Sequence, residues 1–333
     1  MSLFTAETVS PTLYAEFRPT YPQSLYDLIL AYHGPFAPGS VLLDLGAGPG
    51  TVALDLSSRF YKVHAVDPSP DMVSQARRAA VSLGVNNLSS HPCPAEKLPS
   101  IIGPASIDLV VSGEAAHWFD FSQVWPELAR VVKPGGTLAF WAYKHFVIQG
   151  QPGTTEIFEK YIFGEGEVRD GVLAMHAFAD RKGWGVLRNS YREIQPPGSE
   201  WEEENRIVFD PERDDVTKVK DGEGTWMRKR MKLGELEGFV RTFSAFGRWK
   251  KEYEEFKSRS EGGKDGDLVD WLFDDVVGAV EEGKDVGEEW RGIEVDVVWG
   301  TVLLMAKRRP YEINKQEALP RQSVGGRDPQ PSR

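Results

Sequence analysis

Short apolar runs alternate with helical patterns over the first half of the chain. Four runs rich in β-branched and aliphatic residues predict strands at 41–45, 62–66, 107–112 and 137–141. Between and before them, apolar spacing predicts helices at 24–32, 51–60, 70–83 and 121–132. Strands that alternate with helices predict a parallel sheet covered on both faces.

The pattern changes after Gly150, where clean alternation fades and charged residues become frequent. The second half predicts an exposed acidic loop at 196–205, a strand at 225–231, a helix at 233–246, a mobile polar segment at 258–267 and a strand at 293–306. From Pro310 onward the chain is polar and has no apolar pattern, which predicts a disordered tail.

Composition narrows the function classes. The 333 residues include 41% hydrophobic residues, enough for one large or two small domains. The net charge of −11 disfavours a broad nucleic-acid surface, because phosphate binding needs clustered cations. It leaves room for a local basic pocket that takes an acidic small molecule.

Cysteine count and hydropathy add three expectations. Cys93 is the single cysteine, so neither an intramolecular disulfide nor a cysteine-based zinc site is expected, and we predict no metal. No stretch approaches the roughly 18 apolar residues of a membrane span. The first residues also lack the basic start and apolar run of a signal peptide. We therefore expect a soluble, cytoplasmic protein without a membrane partner.

A glycine-rich turn follows the first predicted strand, with the sequence Asp44-Leu45-Gly46-Ala47-Gly48-Pro49-Gly50. It occupies the crevice position where doubly wound folds bind ligands. A dinucleotide-binding turn needs Gly-x-Gly-x-x-Gly, and here the third glycine comes one position early, with Thr51 in its place. A nucleoside ligand without a pyrophosphate fits this turn better.

Two further loops at the same sheet edge carry candidate contacts. Asp67 ends the second strand at about the spacing at which an acid meets ribose hydroxyls, and Ser69 is better placed to cap the next helix. Met72 either lies against an adenine face or belongs to the core. The Ala95-Glu96 segment offers a backbone amide for an adenine edge.

In order and spacing these motifs, with Val132-Lys133-Pro134-Gly135-Gly136, resemble the class I S-adenosylmethionine (SAM)-dependent methyltransferases over residues 14–143. The resemblance implies an α/β, Rossmann-like fold with a mostly parallel seven-stranded sheet, helices on both faces and a C-terminal cap insertion. It implies S-adenosyl-L-methionine as the cofactor. We expect an N-terminal lid at 1–35, a SAM-binding core at 36–150, remaining strands plus a substrate cap at 151–309, and the tail at 310–333.

A narrower resemblance rests on Tyr14-Ala15-Glu16-Phe17-Arg18-Pro19-Thr20-Tyr21-Pro22, on Ala115-Ala116-His117-Trp118-Phe119-Asp120 and on the segment 239–245. These look like the trans-aconitate methyltransferase-like branch of methyltransferase type 11 proteins, which methylates small molecules. The resemblance implies that Tyr14 and Arg18 close over the methionine end of the cofactor. The cofactor contacts expected from motifs and resemblance together are Tyr14, Arg18, Asp44, Gly46, Ala47, Gly48, Asp67, Pro68, Met72, Ala95, Glu96 and Ser112.

Methyl transfer from a sulfonium is an in-line displacement, so alignment and desolvation are the main demands on the protein. A carboxylate acceptor is already ionised, whereas a hydroxyl or amine is helped by a base. His117 is the candidate base, because the unperturbed pKa of imidazole suits proton transfer at neutral pH; the alternative is a hydrogen-bonded structural histidine. Glu114 is predicted to orient His117, to face the sulfonium, or to be a solvated loop acid.

Arg241 lies in a predicted helix rich in Phe and Val, so it either pairs with an anion or extends its charge to solvent. The expected substrate contacts are Tyr21, His117, Trp118, Tyr143 and Arg241.

The sequence thus predicts a SAM-dependent methyltransferase that acts on a small-molecule acceptor, at a carboxylate or a hydroxyl group. The alternative is a SAM-binding regulatory or scaffold protein without transfer activity. Methylation of nucleic acid is disfavoured by the charge and by Ser112-Gly113-Glu114-Ala115, which stands where an Asn/Asp-Pro-Pro-Tyr motif would be expected.

Overall fold

The computed structural model describes residue 17 and residues 19–179, 181–214, 227–280 and 287–310. The predictions for Tyr14, Arg18 and residues 311–333 lie outside these residues.

The centre of the fold is an eight-stranded sheet in the order β3-β2-β1-β4-β5-β10-β8, with β9 also pairing with β10. Strands β1 to β5 run parallel, and β10 runs antiparallel to its three neighbours. Strands β6 and β7 form a separate hairpin. The strands are β1 Val41–Leu45, β2 Lys62–Asp67, β3 Leu88–Pro92, β4 Ile107–Gly113, β5 Val132–Ile148, β6 Glu167–Arg169, β7 Val172–Leu173, β8 Trp201–Phe209, β9 Arg228–Lys232 and β10 Glu294–Arg308.

Helices precede the sheet, connect its strands and build a second layer. They are α1 Gln23–His33, α2 Thr51–Leu56, α3 Pro70–Ser82, α4 Phe121–Val131, α5 Gly153–Phe158, α6 Arg181–Arg188, α7 Leu233–Arg241, α8 Ser244–Glu252 and α9 Leu268–Ala279. Helix α3 starts as its sequence predicts, since Ser69 accepts a bond from the Met72 amide and Pro70 occupies the first turn. No helix among the described residues is long and apolar enough to cross a bilayer.

Successive strand residues enter two separate hydrophobic cores, one on each face of the sheet. In β1, Leu42 belongs to one core and Leu43 to the other. In β5, Trp141 belongs to the same core as Leu42, and Phe140 belongs to the same core as Leu43. The side chains of all four residues are fully buried. Side chains of a strand point alternately to opposite faces, so a strand that is apolar at every position is covered on both sides. This confirms the predicted Rossmann-like class.

The structure differs from the predictions at several elements. The segment 196–205 is not wholly a loop, because β8 begins at Trp201 and pairs with β10. The helix predicted at 233–246 is two helices, since α7 ends at Arg241 and α8 begins at Ser244. Strand β5 begins at Val132 and runs through the predicted Pro-Gly-Gly turn. Strand β3 was missed because Leu-Ser-Ser-His-Pro carries almost no apolar signal.

Candidate cofactor site and acceptor cavity

The glycine turn after β1 combines left-handed backbone with close packing on one side and open space on the other. Gly46 has φ +66°, and a Cβ there would lie 2.4 Å from the Cβ of Ala115. Gly48 has φ +54°, and a Cβ there would meet nothing within 4 Å. Such φ values favour glycine over residues with a Cβ. The turn therefore packs tightly on the β4 side at Gly46 and leaves space beside Gly48 for a ligand.

Asp67 joins the glycine turn to the start of α3. Its Oδ2 accepts from the Gly48 amide at 2.9 Å, and its Oδ1 accepts from the Ser69 amide at 2.8 Å. Burial raises the pKa of this carboxyl above its ordinary value. A carboxylate has about four acceptor sites, so each oxygen keeps capacity for another donor. This arrangement suits the two hydroxyls of a ribose.

Asp44 sits beneath the turn and is 1% exposed. Its Oδ2 accepts from the Ala53 amide in α2 at 3.1 Å. Burial raises the pKa of Asp44 from 3.8 to about 7 against the opposing effect of that hydrogen bond, and the nearby Asp67 and Asp55 raise it further. Asp44 therefore supports the turn from inside the protein.

The loop after β3 is fixed by side-chain contacts to the segment before α4. Ala95 is buried, and Glu96 Oε1 accepts from the Asp120 amide at 2.8 Å. Ser112 is fully buried and donates from Oγ to the Leu45 carbonyl at 2.9 Å, which ties β4 to the end of β1. The three predicted cofactor loops thus follow β1, β2 and β3, which are adjacent in the sheet.

The residues present fit a nucleoside cofactor. The space beside Gly48 admits close approach of a ligand to backbone, and Asp67 offers acceptors next to it. Pro68 is exposed and Met72 is half-buried at the start of α3, which leaves both accessible at this edge. Gly46 and Gly48 would border the methionine portion, Asp67 would hold the ribose, and the Ala95-Glu96 segment would flank adenine.

The loop after β4 lies between the glycine turn and a cavity. Its first residue, Glu114, has φ +57°, a strained conformation for a residue with a Cβ. Glu114 donates its amide to the Trp141 carbonyl at 3.0 Å, and its Oε1 accepts from the Tyr143 amide. Ala115 then packs against Gly46, and residues 116–118 form a short 3₁₀ helix.

A cavity of about 110 Å³ opens on the other side of this loop. By the same measure one water needs about 10–15 Å³, so the cavity holds an organic group of several atoms. Three predicted substrate residues line it, namely His117, Trp118 and Tyr143, as does Glu114. Aromatic side chains from later segments complete it, among them Phe163, Trp184, Phe239 and Phe243.

Two cations also line this cavity, in a chain whose net charge is −11. Lys144 of β5 has a side chain only 6% exposed, and its Nζ lies 4.0 Å from Asp210 Oδ2. Burial lowers the pKa of Lys144 from its ordinary value. Arg248 of α8 contributes the second cation and donates to the Phe178 carbonyl. The cavity is thus aromatic with local positive charge, which the composition alone had left open.

Two predicted substrate residues are not among those that line the cavity. The Tyr21 ring packs edge-on against Trp141, with centroids 5.3 Å apart, near the end of β4. Arg241 faces the other way into an ionic cluster, with 2.9 Å contacts to Glu237 and Asp267 and a 2.7 Å contact to Asp270. A guanidinium held by three carboxylates is already neutralised, so the anion clamp predicted for Arg241 is replaced by a structural role.

Among the residues that the structure describes, one group has ligand atoms close enough together to hold a metal, namely His145, Asp210 and Glu212. His145 Nε2 is 3.3 Å from Asp210 Oδ1, while Lys144 and Arg213 approach the other oxygen at 4.0 and 3.9 Å. These cations oppose a divalent ion, and we assign the cluster to ion pairing.

Sequence patterns missed several residues of the cavity. Trp184 and Arg248 sit in segments whose pattern predicted no site, and Lys144 directly follows the predicted substrate residue Tyr143 but was not itself predicted. Tyr191 was also missed, although it is fully buried and its hydroxyl lies 3.3 Å from His117 Nδ1. These residues follow β4 by tens of positions, and no spacing rule links them to it.

Comparisons with known proteins find similarity to methyltransferases. Residues 43–140 match the family model described as a methyltransferase domain. The "Probable S-adenosylmethionine-dependent methyltransferase CRG1" of Saccharomyces cerevisiae is 30% identical over 149 residues, which is 44% of this chain and 50% of that protein. Methyltransferase cfoB of Aspergillus candidus is 35% identical over 134 residues, 39% of this chain and 41% of the relative. The chain spans about half the length of these curated relatives.

The fold comparison covers more of the molecule. A solved structure of a candidate type II methyltransferase from Anaeromyxobacter dehalogenans superposes with a TM-score of 0.59 at 22% identity, over 89% of this chain and all of that one. This likeness establishes the Rossmann-like methyltransferase fold. The matched domain and the curated relatives support a class I SAM-dependent methyltransferase with S-adenosyl-L-methionine as its cofactor.

Proposed function

We propose that the protein transfers a methyl group from S-adenosyl-L-methionine to a small aromatic acceptor that carries an acidic group. The observation that carries this proposal is the position of the loop at 114–118. It packs against Gly46 through Ala115 on one side and lines the aromatic cavity through Glu114, His117 and Trp118 on the other. The loop therefore borders both the glycine turn, where the cofactor would bind, and the cavity, where the acceptor would bind.

The lining of the cavity indicates the acceptor. Trp118, Trp184 and Phe243 offer apolar faces that favour a ring, since aromatic pairs gain energy beyond their buried area. Lys144 and Arg248 favour an anionic substituent. The predicted nucleophiles, a carboxylate or a hydroxyl, are both compatible with such a ligand.

The chain's own residues supply alignment, a dry environment and a proton acceptor. When bound, the cofactor would supply an electrophilic methyl group for in-line attack by the acceptor oxygen, with S-adenosylhomocysteine as the leaving group. The aromatic walls exclude water from the acceptor, which strengthens the electrostatic contacts around it. His117 takes the proton of a hydroxyl acceptor, whereas a carboxylate has none to give at neutral pH.

The proposal includes two finer assignments, one for the N-terminal segment and one for the branch of the family. The N-terminal segment acts as a lid, which is supported at residue 17: the Phe17 ring lies against Gly238 of α7, where a Cβ would come within 2.5 Å of it. The trans-aconitate methyltransferase-like assignment rests on the sequences 14–22 and 115–120. Acceptance of an acidic small molecule agrees with both.

The test uses labelled S-adenosylmethionine and hydroxybenzoic acids as acceptors, because these carry both a phenolic hydroxyl and a carboxylate. Transfer to ring-bearing acids, absent with uncharged phenols of the same size, is the expected result. Product analysis then separates ether from ester. His117→Ala should reduce ether formation by about 10²-fold or more and leave ester formation largely intact. Binding of S-adenosylhomocysteine without transfer to any acceptor would instead support the regulatory or scaffold alternative.

A further inference from the structure

Tyr191 is a buried tyrosine that contacts the candidate base. It is 0% exposed, and its hydroxyl oxygen lies 3.3 Å from His117 Nδ1 and 3.4 Å from the Trp141 carbonyl. A backbone hydrogen bond from His117 reaches the same oxygen. The Tyr191 hydroxyl is thus surrounded by the histidine on one side and by β5 on the other.

These contacts decide where the protons lie. A carbonyl oxygen only accepts, so the hydroxyl proton of Tyr191 is the one that completes the contact to Trp141. The contact to His117 is then a hydrogen bond only if Nδ1 carries a proton and donates it to Tyr191. With Nδ1 as the donor, the imidazole is the Nδ1–H tautomer and Nε2 is its basic nitrogen.

Tyr191 lies in a backbone turn that is strained and is stabilised by hydrogen bonds from a neighbouring strand. Ser190 and Tyr191 have φ of +53° and +57°, so two successive residues occupy the left-handed region that residues with a Cβ rarely adopt. Arg206 of β8 holds this turn by donating to the Tyr191 carbonyl and, at 2.8 Å, to the Ile194 carbonyl. An ordinary core tyrosine needs no such conformation.

We propose that Tyr191 is a positioning residue that sets the tautomer of His117, so that Nε2 accepts the proton of a hydroxyl acceptor. The proton leaves the acceptor oxygen for Nε2, and the resulting imidazolium keeps its Nδ1–H bond to Tyr191. This inference rests on the proposed function for its catalytic consequence, but the tautomer itself exists with or without turnover.

Nuclear magnetic resonance of the ring nitrogens tests the tautomer directly in the full chain with S-adenosylhomocysteine bound. The protein has six histidines, and His117→Ala assigns the signal of interest. Above the pH at which the ring loses its charge, we expect the Nδ1–H form in the wild type and a shift toward Nε2–H in Tyr191→Phe. An Nε2–H ring in the wild type would overturn the proposal even if methyl transfer is demonstrated.

Kinetics with a hydroxybenzoic acid test the consequence. Tyr191→Phe should lower kcat for ether formation about 10-fold or more, shift its pH profile, and leave KM and ester formation nearly unchanged. In a His117→Ala background the same change should have little further effect, because the two residues act as one unit. Tyr161→Phe is the matched control: that tyrosine is also buried, but its hydroxyl bonds Asp275 at 2.7 Å.

Equal loss of ether and ester formation in Tyr191→Phe would overturn the positioning role and leave a structural one. An unstable variant is recognised by a lowered unfolding midpoint, in which case the wild-type tautomer decides the question alone. Absence of all methyl transfer would refute the proposed function and leave the tautomer measurement valid.

Discussion

At the scale of single residues, Asp67 carries the strongest link between structure and cofactor. Asp67→Asn keeps the shape of the side chain but replaces one carboxylate oxygen with an NH₂ group. That group would face one of the two backbone amides, of Gly48 or Ser69, that now donate to Asp67. Loss of charge-assisted bonds worth about 1.5–3 kcal/mol predicts a Kd for S-adenosylhomocysteine roughly 10- to 100-fold higher. Titration calorimetry measures it, with the exposed Asp71→Asn as a control that should stay within about twofold.

Asp44 makes a prediction about pH. Its pKa is about 7 in the folded chain against 3.8 ordinarily, so the native state binds its proton more tightly than the unfolded state does. Its contribution to stability is full below about pH 4 and is lost as the pH rises through 7. Asp44→Asn removes this loss and keeps an acceptor for the Ala53 amide.

The free energy of unfolding of Asp44→Asn relative to wild type should therefore rise between pH 4 and pH 8, by up to about 4 kcal/mol. Urea unfolding at pH 4, 6 and 8 measures it. A difference between the two proteins that does not change with pH would show that the carboxyl ionises normally in the fold.

At the scale of elements, the glycine turn packs tightly against the loop after β4. Gly46→Ala adds a methyl group 2.4 Å from Ala115 on a left-handed backbone, whereas Gly48→Ala adds one in open space on a similar backbone. The first should cost the roughly 1–2 kcal/mol of the left-handed conformation plus about 1–3 kcal/mol of overpacking, and the second only the former. Urea unfolding without ligand should separate them, and both should weaken cofactor binding. Equal destabilisation would contradict this packing.

The ionic cluster between α7 and α9 makes a second prediction at this scale. Arg241 is 20% exposed at its side chain, while Asp267 and Asp270 are 0% and 2% exposed. Arg241→Gln leaves buried carboxylates uncompensated and should destabilise the fold by about 3–5 kcal/mol. Arg259→Gln breaks the exposed pair with Asp274 and should cost at most about 1 kcal/mol. A raised KM for the acceptor in a stably folded Arg241 variant would instead support the predicted role of Arg241 in binding an anionic substrate.

Element prediction succeeded where local pattern and burial agree. Strand β1 was predicted at its observed bounds, and α3 to within one residue, because a doubly buried strand is apolar throughout and Ser69-Pro70 defines a helix start. It failed at β8, where the acidic residues after Trp201 resemble a loop although the backbone pairs with β10. Long-range pairing overrides local composition in such a strand.

At the scale of the whole molecule, the candidate cofactor site and the acceptor cavity differ in how much of each can be predicted from the sequence. The candidate cofactor contacts in the loops after β1, β2 and β3 lie within residues 44–96, so their order and spacing are visible in the sequence. The cavity collects side chains from 114 to 248, brought together by α6 to α8 and by the helical turns around Phe163 and Met175. Only the folded chain shows that Lys144, Trp184 and Arg248 line the same cavity, and that Arg241 is not among its lining residues.

The separation of the candidate cofactor site from the acceptor cavity predicts how ligands change the stability of the whole molecule. A ligand at 100 times its Kd stabilises the native state by about 2.7 kcal/mol, which for a chain of this size raises the unfolding midpoint by several degrees. S-adenosylhomocysteine should do so alone, because the candidate cofactor contacts at Gly48, Asp67 and Ala95-Glu96 are not among the residues that line the acceptor cavity. NADH at the same concentration should not, because Thr51 stands where the dinucleotide turn needs its third glycine. Stabilisation by NADH and not by S-adenosylhomocysteine would reverse the choice of cofactor made from the glycine turn.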